Sequence, residues 1–299
     1  AIDYPTRTIK FVVPFPSGGA PDQAARAAAK DITRRTGQPV IVENKPGANG
    51  LIAAQQVARA APDGYTVFIT GMATRAVNPF LYKKLPYDPV ADFIPVAMIS
   101  KTAMVLVVRN TEDQPKSVAE LTARMQAAGS KLSFASGNTS SLVAGKTYSN
   151  AVSSPALHVP YKGIPQAVTD LMAGAVDFMF SDLTVANPLV QQGRLRGLGV
   201  TGPTRASTLP DVPTMREAGM PIELSIWNGA YVPAKTPHAV VVRLNELLNQ
   251  ATQSKQGQER FKQTGGTVDT MSPEEFAKFN EQEVLFWGRA VRGAGIQPE

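Results

Sequence analysis

The chain has 299 residues, with 30 lysines and arginines against 24 aspartates and glutamates, a formal net charge of +6, and no cysteine. That length permits one or two domains with a substantial core, and the missing cysteines exclude disulfides, thiolate metal sites and cysteine nucleophiles. The basic residues are scattered, Arg34-Arg35 and Lys83-Lys84 being the densest pairs; nucleic-acid binding asks for a clustered stripe with interleaved aromatics, so no nucleic-acid partner is expected, whereas a diffuse excess can steer anions toward a cleft.

No apolar run approaches the roughly 20 residues that span a bilayer. The start lacks a basic–apolar–small leader and reaches a strand within nine residues, so it reads as a mature chain after processing or one that never carried a signal. The first strand, predicted over residues 9–15, runs through Pro16-Ser17-Gly18-Gly19-Ala20-Pro21 into a helix over 22–35. In that helix Ala25, Ala28, Ala29 and Ile32 form an apolar face, and Arg26, Lys30 and Arg34 a wet row. Gly18 and Gly19 let a ligand approach the main chain, and Pro21 suits a first helical turn. Such a turn delivers backbone N–H groups and the positive end of a helix to one point, a ready anion site. It points to a receptor for a small anion, a carboxylate. Phe15 walls the pocket or merely finishes the strand, and Ser17 adds a hydroxyl beside the glycines.

Further strands are predicted at 39–43 and 66–70, with a helix at 51–60 stopped by Pro62-Asp63-Gly64. Gly71-Met72-Ala73-Thr74-Arg75 then falls at the same strand edge. Ala73 and Thr74 are the better contacts, and Met72 is contact or core. Arg75 either pairs bidentately with a distal carboxylate or snorkels over the surface. Ser117-Val118-Ala119-Glu120 is a capping-box signature for the next helix.

A strand at 132–136, the loop Gly137-Asn138-Thr139-Ser140-Ser141 and a following helix repeat the first unit. Ser136, Asn138, Thr139 and Ser140 are more short donors than capping requires, and Gly137 permits close approach. A third unit has a strand at 157–161, Lys162-Gly163-Ile164-Pro165 and a helix at 166–172. There Tyr161 and Gly163 face the ligand, and Lys162 faces solvent. A strand at 177–181 leads to Asp182. So near a carboxylate pocket this acid would repel a plain diacid, so it caps the next helix or receives an amine or hydroxyl. Trp227, near the return crossover, either lines the pocket or is a buried structural residue, the latter being favoured. Thr236-Pro237 and Ser272-Pro273-Glu274-Glu275 open two C-terminal helices, with proline at the first helical position. The alternation predicts an α/β fold with mainly parallel sheets. Helix starts at the carboxyl ends of strands in both halves predict two lobes facing across a cleft, joined by strands crossing near 100–104 and 222–226.

Catalysis finds little support. His158, within a strand, and His238, just inside a helix, are the only histidines, and neither has a partner at a recognised spacing. Gly-x-Ser-x-Gly, a two-histidine metal signature and a Walker sequence are all missing. No catalytic residue, metal or cofactor is expected; a carboxylate-processing hydrolase is the enzyme alternative.

Eight motifs in register carry a resemblance that covers essentially the whole chain. They are Val13-Pro14-Phe15-Pro16-Ser17-Gly18-Gly19 with Asp22 and Ala25-Arg26, then Val42-Glu43-Asn44-Lys45-Pro46-Gly47-Ala48, Pro62-Asp63-Gly64-Tyr65-Thr66, and Asn78-Pro79 with Leu85-Pro86-Tyr87-Asp88-Pro89. Val159-Pro160-Tyr161-Lys162-Gly163, Gly193-Arg194-Leu195-Arg196, Leu209-Pro210-Asp211-Val212-Pro213-Thr214 with Glu217-Ala218-Gly219, and Trp227-Asn228-Gly229 follow. On these the chain resembles the Bug-type periplasmic solute receptors, the substrate-binding proteins of tripartite tricarboxylate transporters. The resemblance implies a two-lobed periplasmic binding protein of type II, a venus flytrap, with residues 1–101 plus 224–299 in one lobe and 102–223 in the other. It implies a monomer in the periplasm, its signal peptide removed, with a di- or tricarboxylate or aromatic acid in the interlobe cleft. The first loop (Phe15, Ser17, Gly18, Gly19, Ala20) and its counterpart in the second lobe would grip the carboxylate through main-chain N–H groups, hydroxyls and water. Membrane transporter subunits would be transient partners, a membrane sensor kinase the alternative. Arg75 departs from the histidine or small polar residue the resemblance leads one to expect.

Overall fold

The computed structural model describes residues 2–128 and 131–299. Its first half runs β1 (Ile9–Val13), α1 (Ala20–Thr36), β2 (Val40–Asn44), α2 (Leu51–Ala58), β3 (Thr66–Gly71), α3 (Asn78–Leu81), β4 (Phe93–Arg109) and α4 (Val118–Ala128). Then come β5 (Ser133–Ser136), α5 (Thr139–Ala151), β6 (Leu157–Pro160), α6 (Ile164–Met172), β7 (Phe178–Asp182), α7 (Leu183–Gln191) and β8 (Leu195–Val200). The chain returns through β9 (Ser225–Pro233) and ends in α8 (His238–Gln253), α9 (Lys255–Thr264) and α10 (Pro273–Gly293).

The strands hydrogen-bond in the order β2-β1-β3-β9-β4-β7-β5-β6, with β8 also on β4. Pairing is parallel where β1 meets β2 and β3, and where β5 meets β6 and β7. It is antiparallel wherever β4 or β9 takes part. The expectation of mainly parallel sheets is therefore corrected to a mixed sheet whose parallel pairs lie outside. The predicted crossing strand at 100–104 is the middle of β4, a 17-residue strand. From Phe93 to Ala103 β4 pairs with β9, and from Met104 onward with β7 and β8. Long stretches of β4 are buried on successive residues, so no two-residue alternation marks it in the sequence.

Three apolar cores follow from these layers. α1 and α8 cover one face of the first lobe, where Ala25, Ala28 and Ile32 meet Leu244, Leu247 and Leu248 over Phe11 and Ile69. α6 and α7 cover one face of the second lobe through Ala167, Leu171 and Ala186 over Val105 and Met179. The third core is continuous between the lobes, from Phe68, Trp227, Phe276 and Trp287 to Phe134, Tyr148 and Phe178. Just beyond α10, the Ala294 carbonyl accepts a bond from Asn150 Nδ2 of α5 at 2.7 Å. Helix ends match their chemistry: Gly37, at φ 74°, closes α1 with its N–H on the Thr33 carbonyl, and Ser272 and Glu275 form a reciprocal capping box on α10. Pro237 is the N-cap residue of α8 and not its first helical residue.

Candidate ligand site between the lobes

Two adjoining chambers lie between the lobes. The outer one, about 340 Å³, is lined from the first lobe by Phe15, the Gly47-Ala48-Asn49-Gly50 turn and Ala73, and from the second by Ser136, Gly137, Asn138, Thr139, His158 and Tyr161. The inner one, about 30 Å³, is lined by Phe15, Ala20, Met72, Ala73, Asn138, Ser140, Asp182, Trp227 and Asn228, among others. Phe15, Ala73 and Asn138 belong to both and form the neck between them. A separate cavity of about 360 Å³ lies between α1, α8 and α9. Its acid, Asp31, is already held by Arg34 and Arg35, and it faces neither the α5 start nor the strand ends. The chemistry argues for the interlobe chambers.

The neck lies where two helices begin. No side chain caps α1, so the N–H of Ala20, its first residue, has no intrahelical acceptor. At α5, Asn138 Oδ1 accepts the Ser141 N–H at 2.9 Å, and Ser141 Oγ accepts the N–H groups of Gly137 and Asn138 at 3.0 and 3.2 Å. Ser140 Oγ donates to Asn138 Oδ1 at 2.8 Å. Capping thus consumes more of this serine-rich loop than expected. What it leaves is the N–H groups of Thr139 and Ser140 and, above all, Thr139 Oγ1, which is buried without a partner. A buried hydroxyl in that state costs about 1–3 kcal/mol unless something binds it.

Several expected contacts are corrected. Ser17 is exposed and bonds Asn44 Oδ1 at 3.2 Å, and neither Gly18 nor Gly19 lines a chamber. The cause is Asp22, a buried acid that accepts the Gly18 N–H at 3.0 Å and is itself held by Arg26 and Asn44, drawing the arc of the loop off the cleft. Thr74 Oγ1 bonds Thr70 Oγ1 at 2.6 Å, and Arg75 is buried, not on the surface, and lines neither chamber. A π-helical turn over Ala73–Val77 rotates both into a separate buried cavity with Tyr87, Phe93 and Tyr231. There the guanidinium bonds the Pro89 carbonyl and sits 5.8 Å from the centre of the Tyr231 ring. Gly163 lies outside both chambers, packed against Gly137 and Pro16. Tyr161 lines the outer chamber, with its hydroxyl committed to Asp170 at 2.6 Å.

The structure also gathers residues to which the sequence reading gave no ligand role. His158 Nε2 lies 2.5 Å from Ser136 Oγ, its ring stacked on Phe134. Burial, helped by Lys146, holds its pKa below the ordinary imidazole value, so it is neutral near pH 7. No carboxylate among the described residues orients its other nitrogen, so the pair lacks the third member of a triad. Lys162 is exposed, as expected, at the rim of the outer chamber. Among the described residues no cluster of three histidine, cysteine or acidic side chains could hold a metal ion, and no helix is long and apolar enough to cross a membrane.

Among the described residues Asp182 is the only ionisable side chain of the inner chamber. It is buried at 3% exposure and caps α7 by accepting the Val185 N–H at 3.2 Å. Burial pushes its carboxyl up to about 6 from an ordinary 3.8, against the pull of nearby backbone N–H groups. The folded state therefore holds this proton more tightly than the unfolded chain. The resulting stabilisation is complete below about pH 4 and is lost as the pH rises through about 6, a difference of roughly 3 kcal/mol. Asp182→Asn, which keeps the cap, is expected to gain stability on the wild type between pH 4 and 7 in urea titrations. Parallel curves would contradict the shifted carboxyl.

Comparison with known proteins agrees with this architecture. Residues 24–296 match the model of the tripartite tricarboxylate transporter family receptor. BugT of Bordetella pertussis is 33% identical over 299 residues, covering 98% of this chain and 91% of BugT. The periplasmic binding protein BugD superposes with a TM-score of 0.93 at 34% identity, covering 99% of this chain and all of BugD. An R. palustris protein solved with adipate superposes at 0.96 with 31% identity, over 99% of this chain and 100% of its own. MatC of Rhodopseudomonas palustris, with bound malate, superposes at 0.90 with 30% identity, over 96% of this chain and 100% of its own.

Proposed function

This chain belongs to the tripartite tricarboxylate transporter receptor family, a family of periplasmic binding receptors and not of enzymes, and from that premise we propose that its interlobe neck binds a small carboxylate for delivery to a membrane transporter. The observation that carries the reading is the unpartnered Thr139 hydroxyl, buried at the start of α5. A carboxylate at the neck meets the N–H groups of Ala20, Thr139 and Ser140, the Thr139 hydroxyl and the positive ends of two helices. Its body extends into the outer chamber. Adipate and malate in two similar receptors support the ligand class, and a di- or tricarboxylate or an aromatic acid is the finer expectation. We place the lobe boundaries at 1–101 plus 224–299 and 102–223, a division supported to within two residues by β4, which pairs with β9 up to Ala103 and with β7 from Met104. The first-lobe loop meets the second where Pro16 packs on Gly163 and Gly18 faces Pro165, the contact a closed receptor needs.

Thermal denaturation against a carboxylate panel tests the reading. A ligand at 100 times its Kd adds about 2.7 kcal/mol, which for a chain of this size raises the melting temperature by roughly 5 °C. A panel in which no carboxylate shifts the transition would contradict it.

A further inference from the structure

Asp182 caps α7 with one oxygen, and asparagine or serine would serve that purpose without burying a charge. No lysine, arginine or histidine among the described residues pairs with it. It faces the inner chamber beside Ser140 and Asn228, next to the neck at which the proposed carboxylate is held. A second carboxylate there would bring two like charges together in a desolvated space. A group that donates a hydrogen bond would instead be drawn to Asp182. The chamber sets the size. About 30 Å³ takes one small group, comparable to a bound water, while the 340 Å³ outside takes the rest of the ligand.

We infer that the ligand carries a hydroxyl or ammonium group on the carbon next to its gripped carboxylate, and that Asp182 selects for that donor. The inference rests on the carboxylate reading above and narrows it to 2-hydroxy and 2-amino acids. With the carboxylate at the neck and the chain in the outer chamber, the substituent on the adjacent carbon is the one that reaches through to Asp182. A ligand without it leaves the buried acid facing an unfilled, largely apolar chamber.

The test is titration calorimetry at pH 8 with matched series: propionate, lactate and alanine; succinate, malate and aspartate; glutarate, 2-hydroxyglutarate and glutamate; phenylacetate, mandelate and phenylglycine. In the series that binds, the hydroxyl or ammonium member is expected to bind at least tenfold more tightly than the unsubstituted acid. If the favoured member is the ammonium one, Asp182→Asn should cut its advantage at least tenfold; if it is the hydroxyl one, Asp182→Leu should do so, with the fold of each variant checked by its own melting transition. An unsubstituted acid that binds as tightly as its substituted partners would overturn the inference and leave the carboxylate site standing. No binding in any series would overturn the carboxylate site itself.

Discussion

Gly71→Ala is expected to be the most damaging single methyl added near the site. An ideal Cβ at Gly71 would lie 1.8 Å from the Trp227 carbonyl oxygen and 2.9 Å from its carbon. These are backbone atoms of β9, and Gly71 is paired with Asn228 in the β3–β9 ladder, so no side chain can rotate out of the way. The strands must part where Trp227 and Asn228 line the inner chamber. Overpacking of this kind costs about 3 kcal/mol, a fall of roughly 6–12 °C in melting temperature, together with loss of ligand affinity. Gly293→Ala is the control: nothing lies within 4 Å of its added Cβ, and its stability should hold or rise slightly. A Gly71→Ala protein that melts with the wild type would contradict the β3–β9 register.

Thr139→Val should separate binding from folding. Valine matches threonine in shape and removes the hydroxyl. Because Thr139 Oγ1 is buried without a protein partner, the unliganded variant is expected to be about 1 kcal/mol more stable. Its carboxylate affinity should fall ten- to a hundredfold, the worth of about 1.5–3 kcal/mol for a bond to a charged group. Gain of stability with loss of affinity is the signature of a hydroxyl kept for a ligand. Unchanged affinity would remove Thr139 from the site.

The sequence made the strand–loop–helix units legible because each has a short apolar run, a glycine-bearing loop and a helix start. Asn138 and Thr139, which line the outer chamber, stand out for that reason, and Asp182, which lines the inner one, because an acid ending a buried strand is conspicuous. That Ser17 faces solvent is not legible, because the loop's course is decided by Asp22, four residues after Gly18, bonding back to the Gly18 N–H. Arg75 was misplaced because a π-helical turn leaves no periodic mark and changes which way each side chain points. The Ser136–His158 contact joins residues 22 apart in sequence, a proximity created only by parallel pairing of β5 and β6. A signal for the Gly47–Gly50 turn was present: glycines flanking Ala48 and Asn49 mark a left-handed turn at the same strand edge, and all four residues have positive φ.

The central claim is that a carboxylate is held at the neck between the lobes. A crystal structure with the acid that gives the largest thermal shift tests it most directly. The account predicts carboxylate oxygens within hydrogen-bond distance of Thr139 Oγ1 and the Ser140 N–H, close to the start of α1, with the remainder of the ligand in the outer chamber. A carboxylate bound instead in the cavity between α1, α8 and α9, with the neck filled by water alone, would contradict it.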